Sequence, residues 1–275
     1  RISYRAQNQY EQPASGALWD LLILPAELPG QHRISQAWSL SLPASVHVHV
    51  NSFGFEVLRV RPQAPFQELS IEGDFLVNKE SVPFPEGEEL PGPAALSRLR
   101  STACQAEQGL YQAQTAYTSP PPEAKPPYFD GGQPLSAYIA QLAGWIHSCL
   151  RFEPGSTHVH TTAAETWALR SGVCQDYAHL MIGLLRSQQI PARYVSGYFH
   201  PGPEHQEIAA MHAWVEAWVP GAGWMGIDPA NNRPEDQHFI KVAHGCDYQD
   251  CPPIRGLVYA GGGQQAQYAV AVVAQ

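Results

Sequence analysis

Charge is scarce in this chain, and basic charge scarcest. Of 275 residues 15% are charged, with 16 Lys and Arg against 25 Asp and Glu. The resulting net charge of -9 gives no electrostatic footing on nucleic acid or an anionic membrane, so neither is expected as a partner. Long apolar runs are missing as well, and none approaches the roughly 18 residues of a membrane span. Leu21 to Leu24 is too short for the apolar core of a signal peptide and lacks a basic lead-in. Cysteine is sparse and odd in number. Five residues in no regular framework argue against a disulfide scaffold and for a reducing, cytoplasmic compartment. Cys246 and Cys251 are close in sequence, with His238 and His244 nearby, but no second cysteine pair follows. Neither a metal nor any other cofactor is expected.

What is abundant is proline and glycine, 25 and 23 residues, too many for a helical bundle. With 44% hydrophobic residues the chain is globular and long enough for one large or two ordinary domains. From residue 2 to about 81 the pattern is β-like. Residues 34–42 and 46–50 alternate, and 55–60 and 66–77 continue in short pieces. Pro, Gly, Asn and Ser punctuate them. Short strands at this spacing read as an antiparallel sandwich. His47 and His49 share one strand face, where a solvated face and a metal pair both remain open readings.

Residues 83–93 form a Pro/Glu/Gly linker, which sets expected domains at 1–90 and 91–275. Residues 94–110 suit a helix, 119–127 a Pro-rich loop. Residues 135–150 make an amphipathic helix with Tyr138, Leu142, Trp145, Ile146 and Cys149 as its core stripe. Thr162 and Glu165 form a capping box that opens a short helix running to Arg170. Residues 202–206 read as a polar loop.

Ser171-Gly172 then turns the chain directly into Cys174, and Tyr177, Met181, Leu184 and Leu185 follow at helical spacing. Cys174 therefore falls in a first turn, where amides lack intrahelical partners and the helix dipole is positive. A thiol in such a place loses its proton more easily, and the thiolate is the nucleophile. The Cys174 amide could also face a developing oxyanion. Taken alone, Cys174 could equally be a buried structural cysteine. Asp176 fits a dipole-favoured structural carboxylate, and His179, on another helix face, a core hydrogen bond.

Two further residues change the balance. Residues 211–219 (MHAWVEAWV) alternate cleanly, so His212, Trp214, Glu216 and Trp218 share a face. Trp224 to Asp228 returns as the neighbouring strand. A loop with an even residue count would put Asp228 on the wrong face. An odd loop or a bulge, pairing Trp218 with Trp224, sets Asp228 diagonal to His212. The Pro220-Gly221-Ala222-Gly223 stretch makes that expected. Cys174, His212 and Asp228 then have the chemistry of a thiol acyl-transfer triad: nucleophile, proton carrier and orienting acid.

At these residues the chain resembles the bacterial transglutaminase-like superfamily. GVCQDYAHL, IPARYVSGY, HAWVEAWVPGAGWMGIDPANN and GCDYQDCPPIRG carry the likeness over most of residues 157–263. NSFGFEVLRV, from Asn51, is similar to the β-sandwich that precedes the core in many of these proteins. The resemblance implies an α+β protein: a sandwich followed by a papain-like core, with a Cys174 helix packed on an antiparallel sheet bearing His212 and Asp228. It also implies that Asp247 and Tyr248 lie near the cleft. Trp214, beside His212, is a further candidate for substrate binding. Gln189 stands where many relatives have Gly, and Cys246 where they usually have Arg. The expected activity is acyl transfer on amide or peptide bonds of a peptide or protein substrate. Hydrolysis is favoured over transamidation, and a non-catalytic scaffold is the alternative.

Overall fold

The fold is that of a computed structural model, which describes residues 1–80, 84, 87–200, 211–259 and 263–274. The polar loop expected at 202–206 and part of the 83–93 linker lie outside the described residues. The strands β1 (Ile2–Ala14), β2 (Gly16–Leu21), β3 (Gln31–Leu40), β4 (Ala44–Val50), β5 (Glu56–Pro62) and β6 (Phe66–Lys79) come first. Next are α1 (Gly92–Leu99), α2 (Thr102–Gln112), α3 (Leu135–Cys149), β7 (Arg151–Phe152), α4 (Ala163–Leu169), β8 (Ser171–Gly172) and α5 (Cys174–Ser187). The chain ends with β9 (Ala192–Phe199), β10 (His212–Val219), β11 (Gly223–Asp228), β12 (Arg233–Pro234), β13 (Phe239–Gly245), β14 (Ile254–Tyr259) and β15 (Gln264–Val272).

The opening strands form two antiparallel sheets, ordered β15-β1-β6-β3 and β14-β2-β5-β4. Period-two burial drives this. Ile2, Tyr4, Ala6, Asn8 and Tyr10 point inward along β1 while their neighbours face water. Trp19 of one sheet meets Phe66 of the other edge-on, ring centroids 5.3 Å apart. Two strands come from the far end of the chain. β15 pairs with β1 from Ile2↔Val272 to Tyr10↔Gln264, and β14 pairs with β2. The expected division at residue 90 had assigned residues 254–272 to the second unit. Their backbone partners are instead the first strands of the chain.

The second unit centres on α5, which packs against β9, β10, α3 and α4. The sheet behind it is antiparallel, ordered β12-β11-β10-β9-β13. Sequence periodicity gave α5 one apolar face, but every residue from Gln175 to Arg186 is buried. Its polar side chains are tied down by distant partners. Arg186 in the last turn donates from Nη2 to the Ala192 and Cys246 carbonyls, both at 2.8 Å, and from Nε to Tyr111 O at 3.1 Å. Burial holds its pKa down at about 10, and the C-terminal end of the helix dipole favours a cation there. The chain leaves α5 through Gln189 at φ 61, the left-handed conformation that glycine adopts most easily. The helix expected over 94–110 is two helices, because Ser101 caps the second by accepting from the Cys104 amide at 3.1 Å. α3 and the Thr162/Glu165 capping box form as expected.

Candidate active site

The β10–β11 hairpin closes through Pro220-Gly221-Ala222, an odd loop, with Val219↔Gly223 and Trp218↔Trp224 as its first pairs. That register carries Asp228 to the His212 end of the sheet. His212 Nε2 lies 2.7 Å from Asp228 Oδ2. Asp228 has no exposed surface and is saturated with donors. Its Oδ1 accepts from the amides of Ala230 and Asn231 at 2.9 and 3.2 Å, and its Oδ2 accepts from Asn231 Nδ2 at 2.7 Å. Burial alone would raise the carboxyl pKa. The His212 and Asn231 hydrogen bonds and the imidazole charge outweigh it and leave the pKa below the ordinary value.

With Nε2 bound to Asp228, Nδ1 is the ring nitrogen left for sulfur. Burial pushes the His212 pKa down, but the Cys174 thiolate charge, the Asp228 bond and a Cys174 hydrogen bond together lift it to about 10. The imidazole sits against Phe199, Phe239 and Trp214, at ring-centroid distances of 5.1, 6.1 and 6.4 Å. Cys174 itself is half-buried at the start of α5. Its neighbours pin that start in place. Asp176 Oδ2 accepts from the Val173 amide at 2.7 Å and from Thr157 Oγ1 at 2.6 Å, and Gln175 Nε2 donates to Val159 O at 3.1 Å. The loop before α4 is therefore fastened to the cysteine turn at two points.

Of the other sequence candidates, Trp214 and Asp247 are buried and Tyr248 is half-buried. Trp214 is wholly buried, and its indole Nε1 donates to Glu235 Oε2 at 3.0 Å. It offers no surface to a substrate, because strand alternation assigns a face but not what covers it. Asp247 is buried at 6% exposure, and its Oδ1 accepts from the Gln249 amide at 2.8 Å, capping one 3-10 turn at Tyr248–Asp250. Tyr248 is half-buried against Tyr194, and its amide donates to His179 Nε2 at 3.1 Å. His179 is a core residue whose pKa burial lowers to about 3. Cys246 lies at the opposite end of α5 from Cys174, by Arg186. Burial and the charge of Asp250 raise its thiol pKa to about 11. All five cysteines are free, and no cluster of metal-ligating residues occurs among the described residues. His47 and His49 stack at 6.3 Å on the exposed strand β4. Sequence reasoning overlooked Asn231 and Phe199. Asn231, three residues after Asp228 in a DPAN turn, was open to detection as an Asx-type ligand of its own strand end.

Residues 125–229, which contain Cys174, His212 and Asp228, match the model of the transglutaminase-like superfamily. This segment is a transglutaminase-like domain. The chain is 29% identical over 275 residues to an uncharacterised protein of Mycobacterium tuberculosis, covering 94% of this chain and 87% of that one. A stretch of the chain is 36% identical over 141 residues to a protein-glutamine gamma-glutamyltransferase of Pseudomonas aeruginosa, covering 47% of this chain and 21% of that protein. Among solved structures, a candidate cysteine protease of Cytophaga hutchinsonii shares the fold at TM-score 0.69 and 21% identity, covering 100% of this chain and 91% of that one. The likeness in fold extends from the transglutaminase-like domain through the sandwich. No helix among the described residues is long and apolar enough to cross a membrane.

Proposed function

We propose that the protein is a thiol enzyme that transfers the acyl group of an amide or peptide bond through a thioester on Cys174. The observation that carries this reading is the His212–Asp228 contact of 2.7 Å together with an imidazole that Cys174 and Asp228 hold charged to about pH 10. An imidazolium beside a sulfur anion is the ground state such chemistry needs. The sulfur attacks the carbonyl carbon, and the oxyanion forms near the Cys174 amide at the start of α5. His212 gives its proton to the leaving amine, so the C–N bond breaks and the thioester remains. Neutral His212 then takes a proton from the incoming nucleophile, which attacks the thioester and frees the sulfur. Asp228 keeps Nε2 protonated and steadies the cation throughout.

Water as acceptor gives hydrolysis, an amine gives transamidation. We favour hydrolysis of a peptide or protein substrate. The fold shared with a candidate cysteine protease supports hydrolysis, and the short stretch similar to a glutamyltransferase supports the amine route. A scaffold function has no need of a charged imidazole braced by a saturated, buried carboxylate. The test is a peptide library incubated with the protein, with and without a primary amine. Cleavage or deamidation without amine, lost in Cys174→Ala, is the expected result. Adduct formation alone would replace hydrolysis by transamidation. Turnover that survives in Cys174→Ala would sink the mechanism.

A further inference from the structure

Trp214 belongs to a small apolar cluster with Val195 and Phe239, separate from the main core, with Phe199 packed against it. The cluster lies beside His212 and does no chemistry in the mechanism above. Its geometry is nonetheless demanding. A Cβ on Gly197, the residue paired with His212 on β9, would stand 2.6 Å from Trp214 Cη2. A Cβ on Gly226 of β11 would overlap the Glu235 carboxylate. Gly197 is thus kept bare by the Ile240 carbonyl, which that Cβ would overlap, together with the indole, and Gly226 by the carboxylate that holds the indole. Glycine weakens a strand, so close approach is what these positions gain.

We infer that Glu235 is a positioning residue for the His212–Asp228 pair and acts through the indole of Trp214. Glu235 Oε2 accepts the indole N–H at 3.0 Å, and Oε1 lies 3.4 Å from Lys79 Nζ of β6. The carboxylate therefore ties a sandwich strand to the ring that stands next to the imidazole. Trp214 and His212 are nearly parallel, 23° apart, and Phe239 touches both. Trp214, Phe239 and Phe199 keep water from the His212–Asp228 bond, and the low polarity strengthens it. The charged or titratable groups around His212 are Cys174 and Asp228, with Arg233 beyond Phe199. Those around Glu235 are Lys79, Glu216 and Lys241. Burial and the Glu216 charge raise the Glu235 pKa, and either protonation state leaves an oxygen to accept from the indole.

This inference rests on the proposed triad, and its test reads His212 directly. The imidazole is titrated by NMR, its signal assigned by loss in His212→Gln. The wild type is compared with Glu235→Leu, Trp214→Phe and Glu235→Gln, each checked for folding by circular dichroism. Glu235→Leu removes the acceptor, Trp214→Phe removes the donor, and Glu235→Gln keeps an acceptor without the charge. The first two should lower the His212 pKa by about one unit or more toward its ordinary value near 6.5, and Glu235→Gln should leave it in place. Folded Glu235→Leu and Trp214→Phe proteins that titrate like the wild type would overturn the inference. So would a Glu235→Gln shift as large as that of Glu235→Leu, which would make charge, not the indole bond, the cause. The triad reading is judged separately, by whether iodoacetamide at pH 6 labels wild-type Cys174 ahead of Cys149.

Discussion

Asp228→Asn is the most informative single change, because the structure leaves no rotamer that suits an amide. The Asp228 carboxylate accepts from four donors on three residues: His212 Nε2, Asn231 Nδ2 and the amides of Ala230 and Asn231. An asparagine must turn its NH2 either toward His212 and the Asn231 amide side chain, or toward the two backbone amides. Either way a buried donor faces donors, which costs about 1–3 kcal/mol of stability. The chemical effect is larger. An opposite charge at this range moves a pKa by about 1–3 units, so the His212 pKa should fall from about 10 by that amount. At 1.36 kcal/mol per unit this is about 1.4–4 kcal/mol, or about 10- to 1000-fold less ion pair relative to neutral thiol and imidazole. The assay needs no substrate. Iodoacetamide labelling of Cys174 is followed by peptide mass spectrometry at pH 6 to 8, with the half-buried Cys149 as internal reference. Cys174 labelling should slow, most at the acid end of that range, while Cys149 is unchanged. A folded Asp228→Asn protein that labels Cys174 at the wild-type rate would refute the role given to Asp228.

Cys174→Ala should abolish turnover and leave the unfolding midpoint nearly unchanged, since the side chain is half-buried and small; Cys174→Ser should be almost as inactive, because a hydroxyl is far harder to ionise than a thiol. His212 has a folded pKa of about 10 against about 6.5 unfolded, so the stability it contributes is full below pH 6.5 and is lost as pH rises through 10. The gap in denaturant midpoint between wild type and His212→Gln should therefore shrink from pH 6 to pH 10, and a constant gap would contradict a charged imidazole. His179 has the opposite sign: its folded pKa is lowered to about 3, so the stability its neutral form contributes is present above pH 6.5 and drains as pH falls toward 3. Replacing it by Phe should make the midpoint less acid-sensitive between pH 6 and 4. Gly197→Ala should cost about 1–3 kcal/mol by overpacking, because the new Cβ meets Trp214 and the Ile240 carbonyl. Urea melts would show that cost.

The hairpin was legible because its constraint is arithmetic. His212 and Asp228 share a face only with an odd loop, and Pro220-Gly221-Ala222 supplies it. α3 and the capping box at Thr162 were legible because period and cap are local signals. What failed to show was whatever a distant segment decides. α5 reads as amphipathic, yet Asp176, His179 and Arg186 are buried, and each has its partner on another element: Thr157, Tyr248 and the Ala192 carbonyl. Trp214 sits on the face that alternation gives it, but Glu235 and Phe239, more than 20 residues on, seal that face from solvent. Asp247 was placed near the cleft by likeness alone. Its carboxylate is occupied two residues away by a backbone amide.

The strand pairing at the chain ends changes how the two units depend on each other. A chain that built its sandwich first and its core second could lose either and keep the other. Here β1 has β6 on one side and β15 on the other, and β2 has β5 and β14. Both sheets gain their last strand only after the core segment has been threaded between. The connections are reinforced inside. Gln31 at the start of β3 accepts from the Lys241 amide at 2.8 Å and donates to the Lys241 carbonyl at 2.7 Å. Lys241 in turn grips Glu216 of β10 with Nζ at 2.7 Å from both carboxylate oxygens, and Arg193 holds the same carboxylate from β9. Glu216 and His212 are on one face of one strand, two positions on either side of Trp214. Buried charges of this kind are destabilising unless every partner is present. The sandwich therefore completes the environment of the strand that carries His212, and a fragment ending near residue 90 would lack two of its eight strands. Gln31 of β3 thus helps to fix Lys241, and through Glu216 it helps to fix β10, the strand on which His212 stands.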